Sequence, residues 1–367
     1  MPEAKNPEDF AIVIGINHYP QIQPMLQAAE DDALRFADWL ADPDGGGLDP
    51  SNIHLLTGKK FTEDNLRGGP LRFQPHKFTV DDELQAMHVD QKKRIGRRLY
   101  FYFSGHGAGV GPNDVAMLLA NAAEERMETC HIGLTGYRDW FHDAAPFDEL
   151  IFILDCCRNR ANMAQTLRPV FPHFLDEQRF RKVKPLTMLA TLDGDEAFEG
   201  VEAAVSAAAA ARRRGLLTQA LMEGLEHKQA ADSTGAITAV SLAAWLKRRV
   251  PELATVKNVE QQAKVPDPPE NMVVVPPSAV APPVQAPAAQ GVPLITFSIV
   301  IPPGLAGPLR LTRGSAPDQT EEHDPNVSPW IFMGPRTDLY LIEHPASGRM
   351  LSIRPADIKE ETHEAAI

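Results

Sequence analysis

Cysteine is scarce in this chain: its 367 residues include three, Cys130, Cys156 and Cys157, two of them adjacent. A small odd set does not make a disulfide framework, so we expect a reducing compartment. Long apolar runs are lacking as well, since no stretch approaches the roughly 18 to 20 residues of a membrane-spanning helix. The first ten residues contain no apolar core of the secretory type. These absences predict a cytoplasmic protein with no membrane partner.

Basic residues are outnumbered: 36 Lys and Arg stand against 49 Asp and Glu, which gives a net charge of −13. Proteins that bind nucleic acid normally carry a basic surface, so this balance argues against a nucleic-acid partner. Apolar material is sufficient, because 43% of the residues are hydrophobic. At this length we expect two or three domains with a sizeable core.

Short apolar runs alternate with helical patterns over roughly the first 260 residues. In the segment 28–42, Leu34, Phe36, Ala37 and Leu40 recur at spacings that place them on one side of a helix. The five apolar runs have the length and continuity of parallel strands buried on both faces, and they span 10–16, 52–56, 98–103, 149–154 and 185–190. The alternation predicts an α/β fold with a mostly parallel sheet.

Proline becomes dense near the end of that pattern. Residues 275–293 contain six prolines and one glycine, which predicts a semi-extended linker over 271–293. After it, short alternating runs are separated by Gly, Pro and Asp, as in "LITFSIVI". This pattern predicts a small all-β domain, a β-sandwich over 294–367, and leaves 1–270 as the main domain.

Two predicted strands end on chemically reactive residues. Ser104-Gly105-His106-Gly107 follows the run 98–103, and Asp155-Cys156-Cys157-Arg158 follows the run 149–154. Ligands of open α/β sheets bind at the carboxyl ends of the strands. A cysteine nucleophile needs a base for its proton, and imidazole is the usual one. If the two strands are neighbours, a cysteine and His106 meet at one edge of the sheet.

The spacing of these motifs points to a family. His106 precedes Cys157 by 51 residues, close to the roughly 50 that separate histidine and nucleophile in caspases. "FSGHGAG" (103–109) together with "FILDCCRNR" (152–160) resembles the bacterial metacaspase-like branch, the orthocaspases, of the caspase-like cysteine peptidases. The resemblance covers residues 8–270. It implies the caspase-like (caspase-hemoglobinase) α/β/α sandwich.

The resemblance assigns roles to the residues that match its motifs. It makes Cys157 the nucleophile and His106 the general base of a Cys-His dyad. It also makes the backbone N–H groups of Gly107 and Cys157 an oxyanion hole, and glycine suits a close backbone approach to substrate. Ser104 is expected to line the substrate site. We therefore expect an endopeptidase that works through an acyl-enzyme intermediate.

Acidic residues carry the prediction of specificity. Metacaspase-like enzymes hold the arginine or lysine of a substrate with acids. Here Asp155 stands two residues before the nucleophile, and Asp32 matches the acid at the start of the first helix, with Asp31 as the alternative. Carboxylates accept a guanidinium through charge-assisted, often bidentate hydrogen bonds. The predicted partners are protein substrates with exposed arginine or lysine.

Two basic segments could be cut by an enzyme of this specificity: the connection 158–184 and the alanine-rich stretch 202–215. A solvated basic loop is the alternative for the first, and an alanine-rich helix for the second. We expect a zymogen whose candidate activation sites are Arg168, Arg179, Arg181, Arg212, Arg213 and Arg214. The resemblance also implies an upstream activating protease or sensor as a partner, and a role in bacterial antiviral defence or cell death.

No metal or other cofactor is expected. The stretch 42–50 looks like a calcium loop, but Gly46 and Ile53 stand where ligands belong, so calcium dependence has no support. Cys130 and His131 lack the second ligand pair of a zinc site. The competing hypothesis for function is a caspase-like scaffold with weak or no peptidase activity, whose β module recruits partners.

Overall fold

The computed structural model describes two compact units, Met1–Ala279 and Val280–Ile367. It covers residues 4–366 except 20, 24, 59–72, 112, 162, 164, 202–212, 278–293, 303–306, 314–315, 327, 329, 336–339 and 354–361. Within these described residues, no helix has both the length and the apolar character that spanning a bilayer requires.

The first unit contains strands and helices in alternation. In chain order its strands are β1 (Asp9–Gly15), β2 (Ile53–Thr57), β3 (Gly96–Ser104), β4 (Gly107–Gly111), β5 (Asp114–Leu118), β6 (His131–Gly133), β7 (Phe147–Asp155), β8 (Lys184–Leu189), β9 (Glu199–Val201), β10 (Arg213–Gly215), β11 (Ile237–Thr238) and β12 (Val273–Val275). Its α-helices are α1 (Ala29–Ala41), α2 (Lys77–Ala86), α3 (Leu134–Ala144), α4 (Leu216–Glu226) and α5 (Ala239–Val256).

The central sheet has five strands in the order β2-β1-β3-β7-β8, and all four pairings are parallel. These are the five strands that the apolar runs predict. In β3, Tyr100 and Tyr102 face a core shared with α1, α4 and α5. Leu99, Phe101 and Phe103 face a second core, which includes α2, α3 and the small sheet β4-β5-β6. Since both faces are covered, β1, β3 and β7 are almost continuously buried, and the predicted α/β/α arrangement is confirmed. The edge strand β2 differs from the prediction, because none of its residues is fully buried and Leu55 is 37% exposed.

Helix α1 differs from its predicted orientation at one residue. Leu34 is 44% exposed, whereas Phe36, Ala37 and Leu40 are buried as predicted. Residues two apart on a helix point about 200° apart, so Leu34 and Phe36 cannot share a face. The buried side of α1 instead includes Asp32, which sequence periodicity does not place in a core.

An ion pair lies near the amino ends of β3 and β7, opposite the carboxyl ends that carry the two motifs. The buried Arg98 guanidinium donates to Glu149 Oε2 over 2.8 and 2.6 Å. It also donates to the carbonyl oxygens of Val273 and Val274, at 2.5 and 3.0 Å. Residues 271–277, which the sequence assigns to the linker, therefore lie in the first unit, where β12 pairs with β11.

The second unit is built of strands. They are β13 (Leu294–Val300), β14 (Leu309–Arg313), β15 (Ala316–His323), β16 (Trp330–Pro335), β17 (Tyr340–His344), β18 (Arg349–Ile353) and β19 (Thr362–Ala366). They form two sheets, β16-β13-β19 and β15-β14-β17-β18. Phe297 and Ile299 from the first sheet share one buried cluster with Leu311 and Ile342 from the second. A small all-β domain is thus confirmed.

Candidate active site

The two motifs meet because their strands are neighbours in register. Ser104, the last residue of β3, lies opposite Asp155, the last residue of β7. His106 and Cys157 each follow two residues later, so the chain carries both past the same carboxyl edge. The two half-buried side chains open into one cavity of about 460 Å³.

That cavity brings together most of the predicted site. Ser104, His106, Gly107, Asp155 and Cys157 all line it. Asp31 and Asp32 do not line it, since Asp31 is exposed on α1 and Asp32 is fully buried. The cavity wall is completed by residues that the sequence did not single out, among them Ala28, Ala197, Phe198, Gly215 and two acids, Glu196 and Glu199.

Tyr19 positions the histidine. The His106 backbone N–H donates to the Tyr19 hydroxyl oxygen at 2.9 Å, and that hydroxyl donates to the Leu118 carbonyl oxygen at 3.1 Å. The two rings also pack together, with their centroids 4.7 Å apart. Burial of the Tyr19 phenol raises its pKa, so it stays a neutral donor. Tyr19 thus holds the backbone and the ring of His106 at once.

The Cys157 sulfur lies against the backbone of the cavity wall. The Ala197 N–H donates to Sγ at 3.3 Å, and the thiol donates to the Ala197 carbonyl oxygen at 3.6 Å. Burial raises the pKa of the Cys157 thiol, and the Ala197 N–H partly offsets this effect. The sulfur is therefore protonated at neutral pH, and a thiol in this state needs a base before it can act as a nucleophile.

Gly107 cannot be replaced without displacing the segment that carries Cys156 and Cys157. A Cβ built on it would stand 2.5 Å from Cys156 Sγ and 2.6 Å from the Cys157 carbonyl oxygen. Cys156 itself is buried, and burial raises the pKa of its thiol well above the usual range. Cys156 therefore packs beneath the site as a small apolar residue.

Asp155 is the buried carboxylate of the cavity, and it is 5% exposed. The backbone N–H and the hydroxyl of Thr218 both donate to its Oδ2 at 2.8 Å. Tyr102 supports that threonine through a 2.7 Å hydrogen bond between the two hydroxyls. Burial raises the pKa of Asp155 to about 6, although the bonds from Thr218 lower it. Asp155 is thus ionised at neutral pH and protonated in mild acid.

The other acid of the prediction, Asp32, lies behind Gly215. The Gly215 N–H donates to its Oδ2 at 2.8 Å, and Arg214 Nη1 donates to its Oδ1 at 3.2 Å. Burial and the charge of Asp155 raise the pKa of Asp32, while Gly215 and Arg214 lower it. Asp32 therefore contacts the chain's own guanidinium.

Glu196 and Glu199 are the acids that the sequence did not assign. Glu199 accepts from the backbone N–H groups of Gln27 and Ala28, at 3.0 and 2.8 Å, just before α1. Glu196 accepts from Asn159 Nδ2 at 3.1 Å. The sequence feature that could have identified them is the segment "DGDEAFEG" after β8, which carries four acids in eight residues.

The candidate cleavage residues differ in accessibility. Arg168, Arg181 and Arg213 are exposed, and Arg179 is half-buried in an ion pair with Asp176. Arg214 is 4% exposed, so the described conformation shields it from a protease. Arg212 and most of the alanine-rich stretch lie outside the described residues.

A metal site is not formed by the part of the chain that the structure describes: no three His, Cys, Asp or Glu residues there are grouped to hold an ion. His131 is occupied structurally, since its Nδ1 contacts the Met127 carbonyl oxygen and its Nε2 accepts from the Leu167 N–H.

Comparison with known proteins gives the family. The model described as the caspase domain matches residues 8–266. The chain therefore belongs to the caspase family, a family of cysteine peptidases, and its first unit has the caspase-like fold. The metacaspase-like branch stays a prediction.

Individual relatives are distant. A probable protease from a Desulfuromonadales bacterium is 29% identical over 243 residues, which are 59% of this chain and 26% of that protein's length. A protein from Geobacter sulfurreducens resembles the structure with a TM-score of 0.41 and 14% identity, over 71% of this chain and 92% of its own. Caspase-1 from Spodoptera frugiperda does so with a TM-score of 0.41 and 12% identity, over 76% and 94%.

Proposed function

We propose that this chain is a cysteine endopeptidase that hydrolyses peptide bonds after arginine, and less readily after lysine. The observation that carries the proposal is the shared cavity, in which Cys157 and His106 lie beside Asp155. Glu196 and Glu199 add carboxylates to the same wall. A cavity with this charge attracts a cationic side chain and repels an acidic one.

The proposed reaction uses the dyad twice. His106 takes the proton of Cys157 as the sulfur bonds to the substrate's carbonyl carbon, and the carbonyl electron pair moves to oxygen. The N–H groups of Gly107 and Cys157 face that oxyanion, each contributing about 3 kcal/mol. The intermediate collapses, and the leaving amine takes the proton from His106. Water, deprotonated by His106, then releases the acid and restores the thiol.

Peptides that differ only in the residue before the cleaved bond test this proposal. We expect the highest kcat/KM for arginine, a lower value for lysine and no turnover for aspartate. Guanidinium offers two parallel donors to a carboxylate, whereas ammonium is a point charge, which explains the order. A preference for aspartate would contradict it.

The adjacent cysteines provide a matched control for the nucleophile. Cys157→Ala should abolish turnover, while Cys156→Ala, which removes only a buried packing group, should keep it. An enzyme inactivated by Cys156→Ala and not by Cys157→Ala would have the other nucleophile. Labelling by an arginyl chloromethyl ketone should likewise need Cys157. If the protein shows neither turnover nor labelling, the result favours the scaffold hypothesis.

We include regulation by proteolysis in the proposal. The Cys157 sulfur is held by a hydrogen bond from Ala197, and three of the candidate arginines are exposed to a protease. The intact masses of the wild type and Cys157→Ala after incubation test self-cleavage. We expect fragments ending at Arg168, Arg181 or Arg213 in the wild type alone, and identical masses would exclude self-processing. An activating partner and a defence or cell-death role stay predictions from the family resemblance.

A further inference from the structure

A second cavity adjoins the candidate active site. Its volume is about 520 Å³. It shares four lining residues with the first cavity, which holds Cys157 and His106, and these four are Gly107, Leu118, Met127 and Asn159. Asp155 lines the first cavity and not the second. The second cavity therefore begins beside Cys157 and His106 and extends away from Asp155.

Backbone hydrogen bonds join two segments of the wall of this second cavity. The Gly109 N–H donates to the Asn159 carbonyl oxygen at 2.8 Å, and the Ala161 N–H donates to the Gly109 carbonyl oxygen at 3.0 Å. Strand β4 is thus tied to the segment that follows Cys157. Several lining side chains are apolar, namely Ala108, Leu118, Met127, Ala161 and Met163. The cavity is therefore formed by the same segments that carry His106 and Cys157.

Carboxylates outnumber cations around the second cavity. Glu124, Glu125 and Glu128 line it from one short 3-10 helix, Glu124–Thr129, and all three are exposed to solvent. Among the lining residues that the structure describes, the cation is Arg160. Its side chain is 80% exposed, and its Nη2 lies 3.4 Å from Asp193 Oδ2. The second cavity therefore combines an apolar wall with a negatively charged rim.

We propose that the second cavity binds the substrate residues that follow the cleaved bond, and that it favours lysine or arginine at the second of them. The inference rests on the proposed function and adds a separate specificity site to it. A substrate whose basic side chain faces Asp155 has its cleaved bond at Cys157. The chain beyond that bond therefore continues on the side away from Asp155, where the second cavity lies.

The position within the substrate follows from the geometry of an extended chain. Successive side chains of a strand point to opposite faces, so residues two apart point to the same face. The second residue after the bond therefore points toward the enzyme, as the arginine before the bond does. The aliphatic stem of a lysine can cover the apolar wall while its ammonium group reaches the glutamates at the rim. An acidic side chain would be repelled there.

Three peptides test this preference. All contain arginine before the cleaved bond, and they differ only in the second residue after it, which is lysine, norleucine or glutamate. Norleucine keeps the aliphatic stem without the charge. We expect kcat/KM for the lysine peptide to exceed that for the norleucine peptide by about 3- to 10-fold, since each exposed ion pair contributes modestly. The glutamate peptide should have the lowest value, and product masses verify that cleavage follows the arginine.

Two outcomes with the wild type would overturn the inference. Equal kcat/KM values for the three peptides would show that the cavity does not recognise charge. A higher value for glutamate than for lysine would assign recognition to Arg160 instead.

Glutamine variants locate the preference in the second cavity. The cavity variant combines Glu124→Gln, Glu125→Gln and Glu128→Gln. The control variant changes the net charge equally at exposed glutamates that line neither cavity, and combines Glu177→Gln, Glu260→Gln and Glu270→Gln. The lysine-to-norleucine ratio of kcat/KM should fall to about one in the cavity variant and keep its wild-type value in the control variant. An unchanged ratio in the cavity variant, or an equal loss in both variants, would overturn the inference.

Binding of the uncut peptides to Cys157→Ala keeps the inference distinct from the proposed function. The Kd for the lysine peptide should be lower than that for the norleucine peptide, and the difference should disappear when the cavity variant is added. Fluorescence anisotropy measures both values. If the wild type cleaves none of the peptides while this difference in Kd is present, the proposed function has failed and the cavity preference stands. If the wild type cleaves them and neither Kd nor kcat/KM distinguishes lysine from norleucine, only the inference has failed.

Discussion

At the scale of residues, the position of His106 depends on a tyrosine that lies outside the proposed dyad. Tyr19 accepts the His106 N–H and packs against its ring, and it is held in turn by the Leu118 carbonyl. Such a chain of hydrogen bonds fixes the imidazole relative to the strand end rather than to solvent.

Tyr19→Phe should lower kcat by roughly tenfold with little change in KM, because the His106 N–H loses its acceptor and the ring its orientation. Steady-state kinetics on the arginyl peptide provides the measurement. Tyr137→Phe is the matched control, since it removes another buried hydroxyl, one that donates to Asp81 at 2.7 Å. If Tyr19→Phe and Tyr137→Phe lower kcat equally, Tyr19 has only a structural role.

The pH dependence of selectivity follows from Asp155, whose pKa burial raises to about 6. The carboxylate is charged above that pH and neutral below it. Two peptides can be compared that differ only in the residue before the cleaved bond, which is arginine or its neutral isostere citrulline. The ratio of kcat/KM for the arginine peptide to that for the citrulline peptide should therefore fall as the pH is lowered through about 6. Using the ratio cancels the ionisation of the dyad, which affects both peptides alike. A ratio that stays constant across this range would exclude Asp155 as the charged contact.

At the scale of elements, helix α1 receives its cap from a distant strand. Ala28, at its N-cap, makes no side-chain cap, and Glu199 of β9 accepts the Gln27 and Ala28 N–H groups instead. The carboxylate is favourable there because the N-terminus of a helix carries partial positive charge. The cavity wall and α1 are thereby joined.

Glu199→Ala should lower the free energy of unfolding by about 1 kcal/mol, as loss of a cap does, and Glu199→Gln by less because its amide oxygen still accepts. Urea denaturation measures both. Glu226→Gln is a suitable control, since it weakens only the half-exposed pair with Arg35. If Glu199→Ala lowers the free energy of unfolding by no more than Glu226→Gln does, the cap contributes nothing to stability.

The sequence predicted the elements better than their contacts. Short apolar runs identified all five sheet strands, and the signal is clearest in β1, β3 and β7, which are buried on both faces. The contact between Asp32 and Arg214 joins residues 182 positions apart, which no local periodicity encodes. The cap from Glu199 is equally remote. His106 and Cys157 were found because each ends a recognisable strand, whereas Tyr19 reaches His106 from a loop.

At the scale of the whole molecule, the residues to which we assign catalysis all belong to the first unit, which has its own two buried clusters. A chain ending at residue 279 should therefore turn over the arginyl peptide with a kcat/KM within about threefold of the full chain. Loss of activity in a truncated protein that still unfolds cooperatively would show that residues 280–367 contribute to catalysis on small substrates.

Because the three cysteines are buried to different extents, titration of their thiols can measure how much of a preparation is correctly folded. Cys130 and Cys156 are 5% and 2% exposed, and Cys157, which is half-buried, is the most accessible of the three. A thiol reagent should therefore consume one equivalent from the native protein and three after denaturation. The native equivalent counts folded molecules with an accessible Cys157 thiol, so this fraction of a preparation can be measured without any substrate.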